Sequence, residues 1–327
     1  MTIFMNSNIN AMEKYRTSPL WSKYRKEFKV DLWRRSYGEN LDTDNSKIFR
    51  SLHLYKLFDN LFFKFTNFQL RFYRYFLKRI LGRNRSSSYG LYLYKTKFSE
   101  FNNLSDECKR YIEIMHNRIG LKFSYASYKS AYFLYKLSKI LHLPNSGNII
   151  EIGSGGVQFS RMLVSEMSSF SLVLVDLPEV ILFAKELLLK SKLEARIYGP
   201  EEVGEFLKCS ESKKVLFLEP DQLENIQLEF DLAINIESFG EMYQDVANNY
   251  IDILSSKLRK RGSLFLINRI SRCVNLNEPY SLNSHTQFCK YPLDSFETIC
   301  LEVDDFKIVV SPEDKEKLNY FYLGKRK

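Results

Sequence analysis

Residues 148–179, NIIEIGSGGVQFSRMLVSEMSSFSLVLVDLPE, constrain the fold more than any other part of the chain. The apolar pair Ile149-Ile150 leads into an acid, Glu151, and then into a glycine turn, Gly153-Ser154-Gly155-Gly156. An amphipathic segment follows, and a second apolar run, 172–175, ends at Asp176. Apolar strand, glycine turn, helix, apolar strand and acid, in that order, make the βαβ unit of a nucleotide-binding domain.

The alternation continues downstream. Pro178 sits where proline suits the first turn of a helix, here 179–191. The stretch 193–212 has room for a short strand at 195–198 and a short helix at 201–209. Apolar strands are expected at 214–218, ending in Glu219-Pro220-Asp221, at 230–236 and at 263–267, ending in Asn268-Arg269. A helix over 241–259 is expected to stop at Gly262. A long loop, 270–290, carries His285. A helix at 293–301 and an antiparallel pair at 307–310 and 320–322 close the pattern. Five β/α units and a hairpin imply an α/β fold: a Rossmann-like, seven-stranded, mostly parallel sheet with a terminal antiparallel hairpin. Ligands of such sheets bind beyond the carboxyl ends of the strands. That directs attention to Glu151, Asp176, Glu219 to Asp221, Asn235 to Glu241, and Asn268.

Ahead of this unit the chain reads differently. Residues 1–45 are polar and without period, and 83–90 (RNRSSSYG) form a loop. The segment 46–82 mixes apolar spacings of three and four with Lys and Arg, which reads as one or two helices ending near Gly82. Packing on the protein's own core suits its many aromatics better than lying on an anionic membrane does. Helices are also expected at 104–118, with Ser105 as N-cap and Gly120 as stop, and at 124–142. In the second, Tyr125, Tyr128, Tyr132 and Tyr135 recur at helical spacing, as a core stripe rather than an acceptor pocket. The chain thus divides into a basic, aromatic-rich, mainly helical region, 1–120, and an α/β domain, 121–327.

Charge follows the same division. Residues 1–90 hold 18 Lys/Arg against 7 Asp/Glu, so the overall +9 belongs to the N-terminal region. Such a surface suits an anionic membrane, an anionic glycan or nucleic acid, or is the solvated face of a helical cap. Five cysteines without a CxxC pair point to a reducing compartment and no structural zinc site. No apolar run approaches the ~20 residues of a membrane span. A soluble, cytoplasmic protein, or one peripheral to the inner membrane, is expected.

The glycine turn selects its ligand. The dinucleotide fingerprint requires a small residue at its sixth place. Here that place is Gln158. No Gly-Lys-Ser/Thr follows the turn, so it is not a P-loop. Glu151 at the strand end would repel a pyrophosphate but attract a methionyl ammonium and sulfonium. Asp176 is placed to accept two ribose hydroxyls, and the glycines admit close approach of the backbone. These residues point to S-adenosylmethionine.

The motifs EIGSGG, VDLPEV, FLEPDQL and INIESFGEM resemble those of class I S-adenosylmethionine-dependent methyltransferases. Val175-Asp176-Leu177-Pro178 and Glu241-Met242 are most similar to the sugar O-methyltransferases of bacterial surface-glycan pathways. The likeness spans residues 120–325. It implies that Glu151, Gly153 and Gly155 form the methionyl end of the site. Asp176 would bind ribose, Leu177 would lie against the adenine, Asp221 near its amino group, and Asn235 towards the methionyl part. Gln158 and Phe159 depart from the small residues often found where this helix begins.

Methyl transfer to a sugar hydroxyl is largely a positioning task, aided by a general base. The base should lie on the loops after the fourth and fifth strands. His285, whose ordinary pKa suits the task, Glu241, Glu237 and Asp245 qualify, with Asn268 a weaker neighbour. Glu241 also suits a role at a helix N-terminus. No acidic cluster compels a divalent metal, and none is expected. The expected acceptor is a sugar, nucleotide sugar or glycan. Nucleic acid is not expected, since neither an Asn/Asp-Pro-Pro-Tyr/Phe motif nor a Pro-Cys nucleophile occurs. Another small-molecule acceptor, or a non-catalytic scaffold that keeps the fold, are the alternatives.

Overall fold

The computed structural model describes residues 104–119, 125–191, 193–274, 285–304 and 318–327. The expected arm, the helices of 46–82, the loop at 83–90 and the strand at 307–310 lie outside these residues. Helix α1 (Asp106–Ile119) starts where the sequence places it. The Ser105 hydroxyl accepts the Cys108 N–H at 3.2 Å, satisfying one of the first-turn donors. Its buried face is Cys108, Ile112, Met115, His116 and Ile119, one stripe at helical spacing.

Helix α2 (Tyr125–Ile140) packs on α1. Tyr128 and Tyr132 are buried in the core with Phe133, Leu134 and Leu137, as a packing stripe requires. Tyr135 lies at the margin, its hydroxyl donating to Glu107 at 3.0 Å. His116, fully buried, ties the two helices. Its Nδ1 lies 2.8 Å from the Ile112 carbonyl and its Nε2 2.8 Å from the Ser127 hydroxyl. The carbonyl takes the Nδ1 proton and Nε2 accepts from serine, so the ring is neutral. Burial holds its pKa below the ordinary value. The unfolded chain therefore takes up this proton first as pH falls. The contribution of this group to stability is expected to drop below pH 6.5 and to level off beneath the folded pKa, opposite in sign to that of any acid whose pKa folding raises. In urea melts, His116→Gln should therefore gain stability at pH 5 relative to pH 7.5 when compared with the wild type; an unchanged difference between the two pH values would assign this contribution elsewhere.

The sheet follows. Its elements are β1 (Ser146–Ile152), α3 (Gln158–Val164), β2 (Ser169–Val175), α4 (Pro178–Leu189), β3 (Arg196–Tyr198), α5 (Val203–Lys208) and β4 (Lys213–Leu218). Then come β5 (Phe230–Ile236), α6 (Gln244–Lys257), β6 (Leu258–Arg269), the small pair β7 (Ser271–Cys273) and β8 (His285–Gln287), β9 (Phe296–Val303) and β10 (Asn319–Arg326). The main sheet runs β3-β4-β2-β1-β5-β6-β10-β9. Its strands are parallel except β10, antiparallel to both β6 and β9. One strand exceeds the expected seven, and it is the three-residue edge strand β3.

Side chains alternate between two cores. Ile149, Leu172, Leu174, Val215 and Phe217 meet α1 to α4 on one face. Ile150, Ile152, Val173, Val175, Leu216 and Leu218 meet α5 and α6 on the other. Covering on both faces makes the parallel strands continuously apolar. All seven residues of α3 are buried, because α2 and α1 lie over it. The division at residue 120 therefore falls inside one packed layer: α1 shares its core with the sheet.

Two expectations are corrected. Residues 293–301 are not a helix, since most belong to β9, which pairs with β10 in place of 307–310. β9 is an edge strand with its side chains mostly exposed, so it shows no buried alternation, and Phe296, Thr298, Ile299 and Val303 are its strand-favouring residues. Gly262 does not end a helix. The chain passes from α6 into β6 at Leu258, and Gly262 lies within β6 against the Phe230 carbonyl.

Candidate active site at the carboxyl ends of β1, β2 and β5

Strand order reverses at β1, which pairs with β2 on one side and β5 on the other. The crevice of a doubly wound sheet opens at such a point. Here the chain leaves β1 through a turn with left-handed residues at Gly153 (φ 71°), Gly155 (φ 51°) and Val157 (φ 50°). Gly153 must be glycine for a second reason. A Cβ there would lie 2.1 Å from Ser238 Oγ and 2.3 Å from Ser238 Cβ. Gln158 opens α3 with its side chain buried, where a small residue was expected. Its Oε1 accepts from Arg161 at 3.0 Å, and Arg161 donates to the Leu187 carbonyl of α4 at 3.2 Å. A buried polar link thus fills the space and joins α3 to α4.

Two carboxylates face the turn. Glu151 is 3% exposed, and its Oε2 has no hydrogen-bond partner among the described residues. Burial pushes its pKa up to about 8, the Ser160 hydroxyl pulls partly back, and the negative Asp176 adds to the rise. Asp176, half-buried, accepts the Gly155 N–H at 2.8 Å and the Ser154 hydroxyl at 3.5 Å on one oxygen. The other oxygen accepts the Leu177 N–H at 2.8 Å. Burial raises its pKa to about 6 despite these donors. Leu177, beside it, caps α4 in extended conformation.

The floor is a buried amide network. Asn235 donates to the Ile152 carbonyl at 2.8 Å and to Ser238 Oγ. Its Oδ1 accepts from the Phe239 N–H at 3.2 Å and from Asn268 at 2.8 Å. Asn268 in turn accepts the Gly240 N–H at 3.1 Å. Asn235, fully buried, has both amide protons and its oxygen engaged. The expectation that it faces a methionyl group is corrected: it fastens the ends of β1, β5 and β6 together.

Beyond this floor the acids are paired. Glu237 takes up a left-handed backbone (φ 64°), accepts from Asn319 at 3.0 Å and forms an ion pair with Lys129 at 2.5 Å. Glu241 pairs with Arg272 of β7 at 2.7 Å. Burial raises the Glu241 pKa, Arg272 opposes the rise, and Glu237 supports it. The β7–β8 pair sits on this turn, with Thr286 donating to the Met242 carbonyl. Arg272 and Thr286 are directly paired and share one face; His285, paired with Cys273, lies on the other. The structure therefore brings Glu237 and Glu241 together and does not place His285 with them. Asp245 lies on the first turn of α6. Asp221 is exposed on the 3-10 turn after β4.

Lys129 and Arg272 escaped the sequence reading because they meet their acids across 108 and 31 residues, without any spacing signal. Ser238 was within view as part of the segment after β5, but only its contact with Gly153 marks it. Among the described residues no group of three or more His, Cys, Asp or Glu is arranged to hold a metal ion. Nor is any described helix long and apolar enough to cross a membrane.

No family model matches the sequence, and no curated protein matches it. Solved structures do share its course. A SAM-dependent methyltransferase from Methanosarcina mazei aligns over 58% of this chain and 96% of its own, at 13% identity and a TM-score of 0.40. One from Mesorhizobium loti aligns over 59% and 96%, at 12% identity and a TM-score of 0.39. The N-methyltransferase NodS from Bradyrhizobium japonicum aligns over 61% and 94%, at 13% identity and a TM-score of 0.37. Likeness at this level carries no argument about residues or substrate; the fold stands on the strand order itself.

Proposed function

We propose that the chain is an S-adenosylmethionine-dependent methyltransferase acting on a hydroxyl of a sugar, nucleotide sugar or glycan. The observation that supports it best is Glu151. Its carboxylate is buried at the end of the central strand, beside a glycine turn, with one oxygen lacking a partner among the described residues. Such a group fits a ligand that carries a positive charge. A pyrophosphate would be repelled by Asp176, which is ionised above about pH 6.

Bound S-adenosylmethionine would supply a methyl group on a sulfonium: the acceptor oxygen would bond in line to the methyl carbon as the carbon–sulfur bond breaks, and the sulfur would leave as a neutral thioether. Glu151 and the turn from Gly153 to Gly155 would hold the amino-acid end. Asp176 would take the ribose hydroxyls on the lone pairs that its present donors leave, since a carboxylate offers about four. Leu177 would lie against the base, with Asp221 near its amino group. Glu237 and Glu241, on the loop after β5, would receive the acceptor's proton. The sugar-type acceptor is supported by the VDLPEV and Glu241-Met242 motifs alone. The basic N-terminal region suits an anionic acceptor or an anionic membrane surface near it.

Calorimetric titration with S-adenosylhomocysteine tests the reading. The wild type should bind, and Asp176→Asn and Asp176→Ala should weaken binding by about tenfold to a hundredfold, the range for losing charge-assisted hydrogen bonds. A wild type that binds nothing, or an Asp176→Ala variant that binds equally well, overturns it.

A further inference from the structure

Glu237 is held in part from α2, a helix outside the sheet's own crossovers. It is the first residue past β5, and its left-handed φ of 64° is a conformation that a side chain with a Cβ adopts only against steric strain. Such strain persists only where surroundings over-determine it. Three elements do so here. Its N–H donates to the Ile267 carbonyl of β6 at 2.6 Å. Asn319, fully buried at the start of β10, donates to Oε1 at 3.0 Å. Lys129, on α2, reaches Oε2 at 2.5 Å. The Lys129 side chain is 15% exposed and that of Glu237 28%, so the pair is partly withdrawn from solvent while the carboxylate stays reachable. Asn319 and Lys129 each engage one oxygen of the carboxylate, which offers about four lone-pair sites in all.

We propose that Lys129 is a positioning residue for the transfer: it holds the Glu237 carboxylate charged and aimed at the acceptor end, where Glu237 takes the hydroxyl proton as the oxygen–methyl bond forms. This rests on the methyltransferase reading. An ammonium in contact favours the charged carboxylate. The opposing influence comes from Glu241, which Arg272 and the nearby Arg269 offset. Asn319 and the Ile267 amide carry no charge, whereas Lys129 meets the carboxylate as a cation in direct contact. It comes from the helical layer over α3, so that layer completes the site as well as covering it.

The test needs no acceptor. Sinefungin carries an amine-bearing carbon where S-adenosylmethionine carries sulfur and methyl, whereas S-adenosylhomocysteine has a neutral sulfur there. A charged Glu237 at the transfer position should make the wild type prefer sinefungin by about tenfold, the worth of one partly screened charge contact. The ratio of the two affinities cancels effects at the shared methionyl end. Lys129→Met should bring that preference down to about threefold or less, and Lys129→Arg should restore it. Glu237→Gln should abolish the preference while leaving S-adenosylhomocysteine affinity within about twofold, since no contact to the common part is lost. A preference that persists in Glu237→Gln, or one unchanged in Lys129→Met, overturns the proposal. A wild type that binds neither compound overturns instead the methyltransferase reading beneath it.

Discussion

Gly153→Ala is expected to abolish S-adenosylhomocysteine binding and to lower stability by about 2–5 kcal/mol, from left-handed strain and overpacking together. The backbone at φ 71° disfavours any Cβ, and the new atom would overlap Ser238 Oγ at 2.1 Å and Cβ at 2.3 Å. Ser238 cannot swing clear. Its Cβ is fixed by the left-handed turn at Glu237, and its hydroxyl donates to the Ile152 carbonyl at 3.1 Å within the Asn235 network. The clash therefore pushes apart the ends of β1 and β5, where the crevice opens. Ser238→Gly alone should cost about 1 kcal/mol, chiefly the lost hydroxyl contacts. The double variant should recover the steric part and keep the strain and the lost hydroxyl contacts, a favourable coupling of about 1–3 kcal/mol in urea denaturation. Strict additivity would show that the two residues do not meet.

The crevice was legible because parallel strands buried on both faces leave unbroken apolar runs, and each run ends in a polar residue at the ligand edge. Ile149-Ile150 before Glu151, and 172–175 before Asp176, carry both signals at once. The glycine turn was legible for the same local reason: left-handed backbone at Gly153 and Gly155 is a property of those residues and their immediate neighbours. What escaped is decided by partners distant in sequence. Glu237 and Glu241 were recognised as acids, but not that Lys129 and Arg272 would pair with them. Asn235 stood at the right strand end, yet its amide is engaged by Ile152, Ser238, Phe239 and Asn268, which only the closed sheet brings together. His285 was a residue type suited to a general base, and the pleat of a three-residue strand turned it to the other face. β9 failed for want of burial: with Glu297, Ile299 and Leu301 exposed, no periodicity marks it.

The proton on Glu151 gives the second large effect. With its pKa at about 8 in the folded protein and 4.5 as the ordinary value, the native state keeps a proton that the unfolded chain has lost between those limits. The native state therefore binds more protons there, and the contribution of Glu151 to stability must fall as pH rises from about 4.5 to 8, by on the order of 3–5 kcal/mol in all. Asp176, raised from 3.8 to about 6, adds to the lower part of that window in the same direction. Glu151→Gln should remove the decline between pH 6 and 8 while leaving the part due to Asp176. Binding acts on the same equilibrium. A cationic methionyl group favours the ionised carboxylate, so association must expel the proton. Affinity for S-adenosylhomocysteine should then rise by up to about tenfold per pH unit and level off near pH 8, following the linkage slope for one proton. Calorimetry at pH 7 in two buffers of different ionisation enthalpy should register close to one proton released by the wild type and none by Glu151→Gln. Because the ligand's own amine is common to both proteins, the difference isolates Glu151. Equal proton release from the two would mean that the buried carboxyl does not meet the ligand's charge, and the cation-binding role of this strand end would fall with it.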